Sequence, residues 1–241
     1  MTGKVYLIPT VLHEDETALK TLPRYIIEAI KDCSVFFVEN EKTARRFLKK
    51  LWKACLPGEE IIIDNYEWYI IHKAEESVKA ILVQRLEEGK NIGIVSEAGC
   101  PGIADPGQIL IEAAQHLGAT VHPLVGPSSI LLALMASGMN GQHFHFVGYL
   151  PIEASARKKA IKELEIDSQK RNSTQIFIET PYRNNQLIND VLITCKPETM
   201  FCIAVDITAS TESIKTKTIK EWKQQMPDLT KRPTIFLLQA K

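Results

Sequence analysis

The chain lacks the features that would assign it quickly to a class. No apolar run reaches the ~18 residues a helix needs to cross a bilayer, so no transmembrane helix is expected. The N-terminal Met1-Thr2-Gly3-Lys4-Val5-Tyr6-Leu7-Ile8-Pro9 does not have the layout of a secretory signal. A cytoplasmic location is therefore the expectation. Its five cysteines (Cys33, Cys55, Cys100, Cys195 and Cys202) form no C-x-x-C pair. An odd number at irregular spacing supports neither a disulfide framework nor a zinc site. No metal is expected, and a nucleophilic Cys100 would need a base that no nearby histidine supplies. Charge of one sign is not in excess, with 29 basic and 29 acidic residues. That excludes a uniformly basic nucleic-acid binder, though not a local patch.

Nucleotide and hydrolase fingerprints are missing too. Pro9-Thr10 follows the first apolar run where a dinucleotide fold would carry G-x-G-x-x-G. A G-x-x-x-x-G-K-[ST] phosphate loop, an H-E-x-x-H pair and a G-x-S-x-G elbow are all absent. These absences argue against a nicotinamide dehydrogenase, a P-loop NTPase, a zinc protease and a serine hydrolase.

What is present is an ordinary soluble composition, 45% hydrophobic and 24% charged, organised as short apolar runs alternating with helical patterns. Strands are expected at Val5–Ile8, Ser34–Val38, Glu60–Ile63 and Asn91–Val95. Helices are expected at Thr21–Asp32, Glu41–Ala54, Lys73–Glu88 and Gly107–Leu117. This alternation predicts an α/β fold with a parallel sheet. The second half, from near Thr120, reads as more mixed: strands at Val121–Val125, Phe144–Val147, Gln175–Ile178, Phe201–Val205, Ser213–Thr218 and Thr234–Leu238, with helices at Ser128–Ser137, Ala156–Asp167 and Arg183–Thr194. Two domains are expected, 1–119 mostly parallel and 120–241 mixed. Residues 1–120 hold 14 basic and 18 acidic residues, and residues 121–241 hold 15 and 11.

Three loops stand where ligands meet open α/β sheets, after the carboxyl ends of strands. Ser96-Glu97-Ala98-Gly99-Cys100-Pro101-Gly102-Ile103-Ala104-Asp105-Pro106-Gly107 is the most unusual. Its length exceeds what a plain connection needs; a rigid turn is the alternative reading. Pro123 to Ser129 joins a strand to a helix, and Ser128 or Ser129 can cap that helix or offer free amides to a ligand. Gly148-Tyr149-Leu150-Pro151 leads to the basic Arg157-Lys158-Lys159, which reads either as a solvated face or as a phosphate contact.

In this order, these loops resemble the tetrapyrrole (corrin/porphyrin) methylase superfamily, most nearly its branch of bacterial 16S ribosomal RNA 2′-O-ribose methyltransferases. Pro9-Thr10, Ser96–Gly107, Pro123–Ser128, Gly148–Pro151 and Glu179-Thr180-Pro181-Tyr182-Arg183 carry the likeness across almost the whole chain. The departures are local. The family's P-I-G-N after P-T is Val11-Leu12-His13-Glu14, its E-D-T-R is Glu39-Asn40-Glu41-Lys42, and its A-R-E-L-T-K is Ala204-Val205-Asp206-Ile207-Thr208-Ala209. The aspartate of its S-D-A-G is Glu97.

The resemblance implies a two-domain homodimer that binds S-adenosylmethionine between its domains and transfers its methyl group. The acceptor it implies is the ribose of ribosomal RNA. A tetrapyrrole-like small molecule, or a cofactor-binding module without catalysis, stand as alternatives. The implied cofactor residues are Pro9, Ser96, Glu97, Ala98, Gly99, Pro101, Ile103, Asp105, Ser128, Ser129, Ile130 and Leu150. A hydroxyl acceptor benefits from a base, and Glu39, Glu97, Asp105 and Glu179 are the carboxylate candidates. Lys42, Arg157, Lys158 and Arg183 are the expected substrate-side cations.

Overall fold

Apolar stretches such as Val35–Val38 and Ile92–Val95, buried at every position, behave as strands covered on both faces, and they pair in parallel. A computed structural model describes residues 2–71 and 75–241 and divides the chain into two units, Met1–Ser128 and Ser129–Lys241.

The first unit is built on five parallel strands: β1 (Lys4–Ile8), β2 (Val35–Val38), β3 (Glu67–Ile70), β4 (Ile92–Val95) and β5 (Thr120–Pro123), in the order β3-β2-β4-β1-β5. The crossovers contain α1 (Ile26–Asp32), α2 (Glu41–Cys55), α3 (Glu75–Glu87) and α4 (Gln108–His116). Helix α2 shows how the sequence sets an element. Asn40 caps it by accepting hydrogen bonds from the Lys42 and Thr43 amides. Ala44, Leu48, Leu51 and Trp52 recur at helical spacing and are buried. Two cores form, one on each face of the sheet; Phe36 and Val38 point into one, Val35 and Phe37 into the other.

The second unit follows with α5 (Ser129–Ser137), β6 (Phe144–Tyr149), α6 (Ala154–Arg171), β7 (Thr174–Ile178), α7 (Asn184–Thr194), β8 (Met200–Val205), β9 (Ser213–Thr218), α8 (Ile219–Trp222) and β10 (Thr234–Gln239). Its sheet runs β6-β7-β10-β8-β9. Only β6 and β7 are parallel; the other pairs are antiparallel. Phe177, Phe201 and Phe236 stack across three neighbouring strands, with centroids 5.8–6.4 Å apart.

Three expectations are corrected. The third strand is Glu67–Ile70 rather than Glu60–Ile63, because β3 needs its register against β2, where Phe36 stacks on Trp68 and Phe37 on Tyr69. Ile62 is left exposed. The first helix begins at Ile26, after a 3-10 turn at Glu16–Thr21, so Pro23 precedes the helix instead of opening it. The division falls after Ser128 rather than after residue 119, because β5 pairs with β1 and completes the first sheet. Lys73, the expected start of the third helix, lies outside the described residues.

Candidate functional site

Parallel strands end together, so the loops leaving β2, β4, β1 and β5 lie along one edge of the first sheet. Hydrogen bonds tie these loops to one another. The Thr10 amide after β1 donates to the Gly99 carbonyl after β4 at 2.9 Å. The Glu97 amide donates to Glu39 Oε1, after β2, at 2.9 Å. Gly126, after β5, lies so close to Pro9 that a Cβ there would be 2.1 Å from the proline ring.

Within the long loop, Ser96 is buried and its hydroxyl donates to the Gly99 carbonyl at 3.2 Å. Asp105 Oδ1 accepts from the amides of Gly102 (2.7 Å) and Gly107 (2.9 Å). Burial pushes the Asp105 carboxyl above its ordinary range; the two amides pull it back and the charge of Glu39 adds to the rise. Gly99 has φ +76°, and a Cβ there would stand 3.1 Å from the Pro127 carbonyl. Gly99→Val is expected to weaken S-adenosylmethionine binding at least tenfold, ~1.4 kcal/mol. An unchanged dissociation constant in a folded variant, measured by calorimetry, would remove this loop from the cofactor site.

These bonds sort the four carboxylates. Glu39 holds the β2 and β4 loops together, and Asp105 holds its own loop closed. Glu179 belongs to the second unit. Burial works against its charge, but a 2.6 Å bond from Arg183 Nη2 and the Thr180 amide hold its carboxyl below the usual range. Glu97 is exposed and accepts from Thr43 Oγ1 at 2.5 Å. It alone of the four lines a cavity of about 310 Å³, bounded by residues 10–15, α2 and Ser96–Ala98.

The remaining expected residues fall on both units. Pro9, Pro101 and Ser128 lie with the first-unit loops, and Ile103 is exposed on the long one. Ser129 and Ile130 open α5, while Leu150 is packed into the core of the second unit.

Arg157 is not a substrate-side cation. It is 1% exposed, and its guanidinium bonds Asp190 Oδ2 at 2.6 and 2.8 Å and the Ile152 carbonyl at 2.7 Å. The reason lies in α6, whose buried stripe is Arg157, Ile161, Glu165 and Ser168. Lys158 lies 3.6 Å from Asp190, and Arg183 is engaged by Glu179. Lys42 is exposed on α2.

Of the cavity's described lining, only Ser96, Glu97 and Ala98 were anticipated as site residues; Thr10, His13 and Thr43 are among those that were not. Thr10 Oγ1 and His13 Nδ1 are buried atoms without a hydrogen-bond partner. Their signal in the sequence was indirect, since His13 lies in the segment that departs from P-I-G-N. Cys100 Sγ faces the Gly126 and Pro127 carbonyls at 3.7 and 3.5 Å, and burial raises its thiol. Cys100→Ser is expected to keep turnover within a few-fold; complete loss in a folded, cofactor-binding variant would make the thiol essential. Among the described residues no three His, Cys, Asp or Glu side chains are grouped to hold a metal ion, and no helix is long and apolar enough to cross a membrane.

The chain matches the family model for Tetrapyrrole (Corrin/Porphyrin) Methylases over residues 19–223. It is 33% identical over 178 residues to the ribosomal RNA small subunit methyltransferase I of Haemophilus influenzae, covering 72% of this chain and 62% of that one. It is 36% identical over 148 residues to the protein of the same name from Vibrio cholerae, covering 61% and 50%. The match thus spans half to under two thirds of these relatives' own length. Among solved structures, the methyltransferase CobJ is similar with a TM-score of 0.61 at 15% identity, covering 99% of this chain and 95% of that chain. A uroporphyrin-III C-methyltransferase from Thermus thermophilus, complexed with S-adenosylhomocysteine, has a TM-score of 0.55 at 14% identity, covering 98% and 97%. At these identities the two structures share the fold.

Proposed function

We propose a methyl-transfer function on the premise that the chain belongs to the tetrapyrrole (corrin/porphyrin) methylase family. The reading is an S-adenosylmethionine-dependent methyltransferase that acts on ribosomal RNA, with the ribose 2′-hydroxyl as acceptor. It works in the cytoplasm as a homodimer. The observation that carries it is the braced loop Ser96–Gly107. Its backbone is held by Ser96, Asp105 and the bond to Thr10, while Glu97, Ala98 and Ile103 are left exposed.

The residues fit the cofactor. Glu39 and Glu97 place negative charge at the β4 end, which suits a sulfonium cation; the exposed Ile103 offers an apolar surface for a ring. When bound, S-adenosylmethionine supplies an already activated methyl carbon, so the protein chiefly aligns the acceptor. Loop bracing serves that alignment. Glu97, on the cavity wall, is the carboxylate assigned to take the acceptor's proton. Thr43 donates to Oε1, which orients the carboxylate.

The names of the curated relatives favour ribosomal RNA over a tetrapyrrole as acceptor. The test is calorimetry with S-adenosylhomocysteine, followed by methyl transfer from labelled S-adenosylmethionine to small-subunit ribosomal RNA and, in parallel, to uroporphyrinogen. Binding together with RNA labelling is expected. Labelling of the tetrapyrrole alone would replace the acceptor, and absence of cofactor binding would end the methyltransferase reading.

A further inference from the structure

Six of the 14 basic residues in the first 120 lie within Lys42–Lys53. In helix α2, Lys42, Arg46, Lys49, Lys50 and Lys53 follow one another at spacings of three, four or one. They are all exposed, on the face opposite Ala44, Leu48 and Leu51. Arg45 stands apart, bonded to Glu41 at 2.9 Å and Asp64 at 3.1 Å. On the stripe, Arg46 meets Glu14 at 2.7 Å, a bridge in which both side chains are more than half exposed. Such a pair is weak and readily exchanged. Among the described residues, no acidic side chain lies within ion-pair distance of Lys42, Lys49, Lys50 or Lys53. With a rise of 1.5 Å per residue the stripe is about 17 Å long, enough to accompany several successive phosphates.

The stripe borders the 310 Å³ cavity, whose wall includes Arg46 and Lys50. That volume suits one nucleoside. Phe47 offers an aromatic surface; Thr10 Oγ1 and His13 Nδ1 offer unpaired polar groups, Thr10 itself being 4% exposed. Such atoms are costly to leave without a partner, and a nucleoside's hydroxyls and ring nitrogens supply partners. Of the residues expected at the cofactor, only Ser96, Glu97 and Ala98 share this cavity.

We propose that α2 is a phosphate track for a single strand of RNA and that the adjoining cavity takes the nucleotide to be methylated, with Thr10 and His13 as its recognition groups. The proposal rests on the RNA-methyltransferase reading and deepens it. It also places the RNA-binding surface on the first unit, to which Lys42 alone of the four expected substrate-side cations belongs. An acidic protein would match the lysines, but it would leave the polar and aromatic cavity beside them without a use.

The experiment uses the full chain and end-labelled fragments of small-subunit ribosomal RNA, titrated at several salt concentrations. Three variants accompany the wild type: Lys49→Gln/Lys53→Gln on the track, Lys158→Gln/Lys159→Gln on the second unit, and His13→Ala in the cavity. Two lost phosphate contacts should lower the salt slope by about 1.4, at ~0.7 each for single strands. The track variant is expected to bind RNA at least fivefold more weakly with unchanged S-adenosylhomocysteine affinity, and the second-unit variant to match wild type. His13→Ala is expected to raise the KM for RNA while leaving the salt slope alone.

Wild-type slope in the track variant, from a protein that methylates RNA, overturns the track. Equal loss in the second-unit variant does the same, and so does poly-glutamate competing as well as RNA at equal charge. If the wild-type protein transfers no methyl group to RNA, the functional reading itself fails, and that is read separately in the same assay.

Discussion

Arg157→Ala is expected to destabilise the second unit by about 3–5 kcal/mol, the usual consequence of removing one partner from a buried ion pair. Asp190, whose side chain is 9% exposed beside Arg157, would keep only the more distant Lys158 within ion-pair distance among the described residues. The Ile152 carbonyl would lose its donor as well. Thermal unfolding should shift down by roughly 10–20 °C. Lys158→Ala removes an exposed cation at 3.6 Å and should stay within about 0.5 kcal/mol of wild type. Arg157→Met with Asp190→Leu should recover much of the loss, because the penalty arises from the unpaired charge. Calorimetric or fluorescence melting of the four proteins decides it. A melting point for Arg157→Ala within two degrees of wild type would mean that the pair does not hold α6 to α7.

Asp105→Ala is expected to weaken S-adenosylhomocysteine binding about a hundredfold, equivalent to ~2.7 kcal/mol. The Oδ1 atom accepts from both Gly102 and Gly107. Each amide left without a partner in a part-buried loop costs about 1–3 kcal/mol, and opening the loop lets water satisfy both. The braced conformation then becomes a minority state, and apparent affinity falls in proportion to its population. Asp105→Asn keeps an acceptor oxygen at the same place. It should bind within tenfold of wild type and keep turnover, because the proposed role is to position the loop and not to take a proton. Loss of turnover in Asp105→Asn with intact cofactor affinity would reassign Asp105 as the base. Equal affinity in Asp105→Ala would show that the loop needs no brace.

The sequence by itself determined the class of fold, the alternation of strands and helices, and the loops that gather at the strand ends. Apolar periodicity reports directly which elements are covered, and buried parallel strands such as Val35–Val38 are legible from composition alone. It also carried the family likeness through Pro9-Thr10, Ser96–Gly107 and the shorter motifs. Only the tertiary structure decided the fate of the charges. In α6, Glu165 is 1% exposed while the adjacent Ile166 is 53% exposed, the reverse of what hydrophobicity predicts. Glu165 is held inside by Thr199 Oγ1 and the Lys196 amide, both at 2.6 Å, and Arg157 by Asp190. Those partners lie more than thirty residues away in the chain, where no local pattern can announce them. The same reason explains β3. Ile61-Ile62-Ile63 has the stronger local strand signal, but pairing with β2 selects Glu67–Ile70, where Trp68 and Tyr69 meet Phe36 and Phe37. The cations of α2 were visible in the sequence at helical spacing. What the fold added was that, among the described residues, no carboxylate stands within ion-pair distance of four of them and that a cavity opens beside Arg46 and Lys50 in their row; both depend on which loops return to that edge of the sheet.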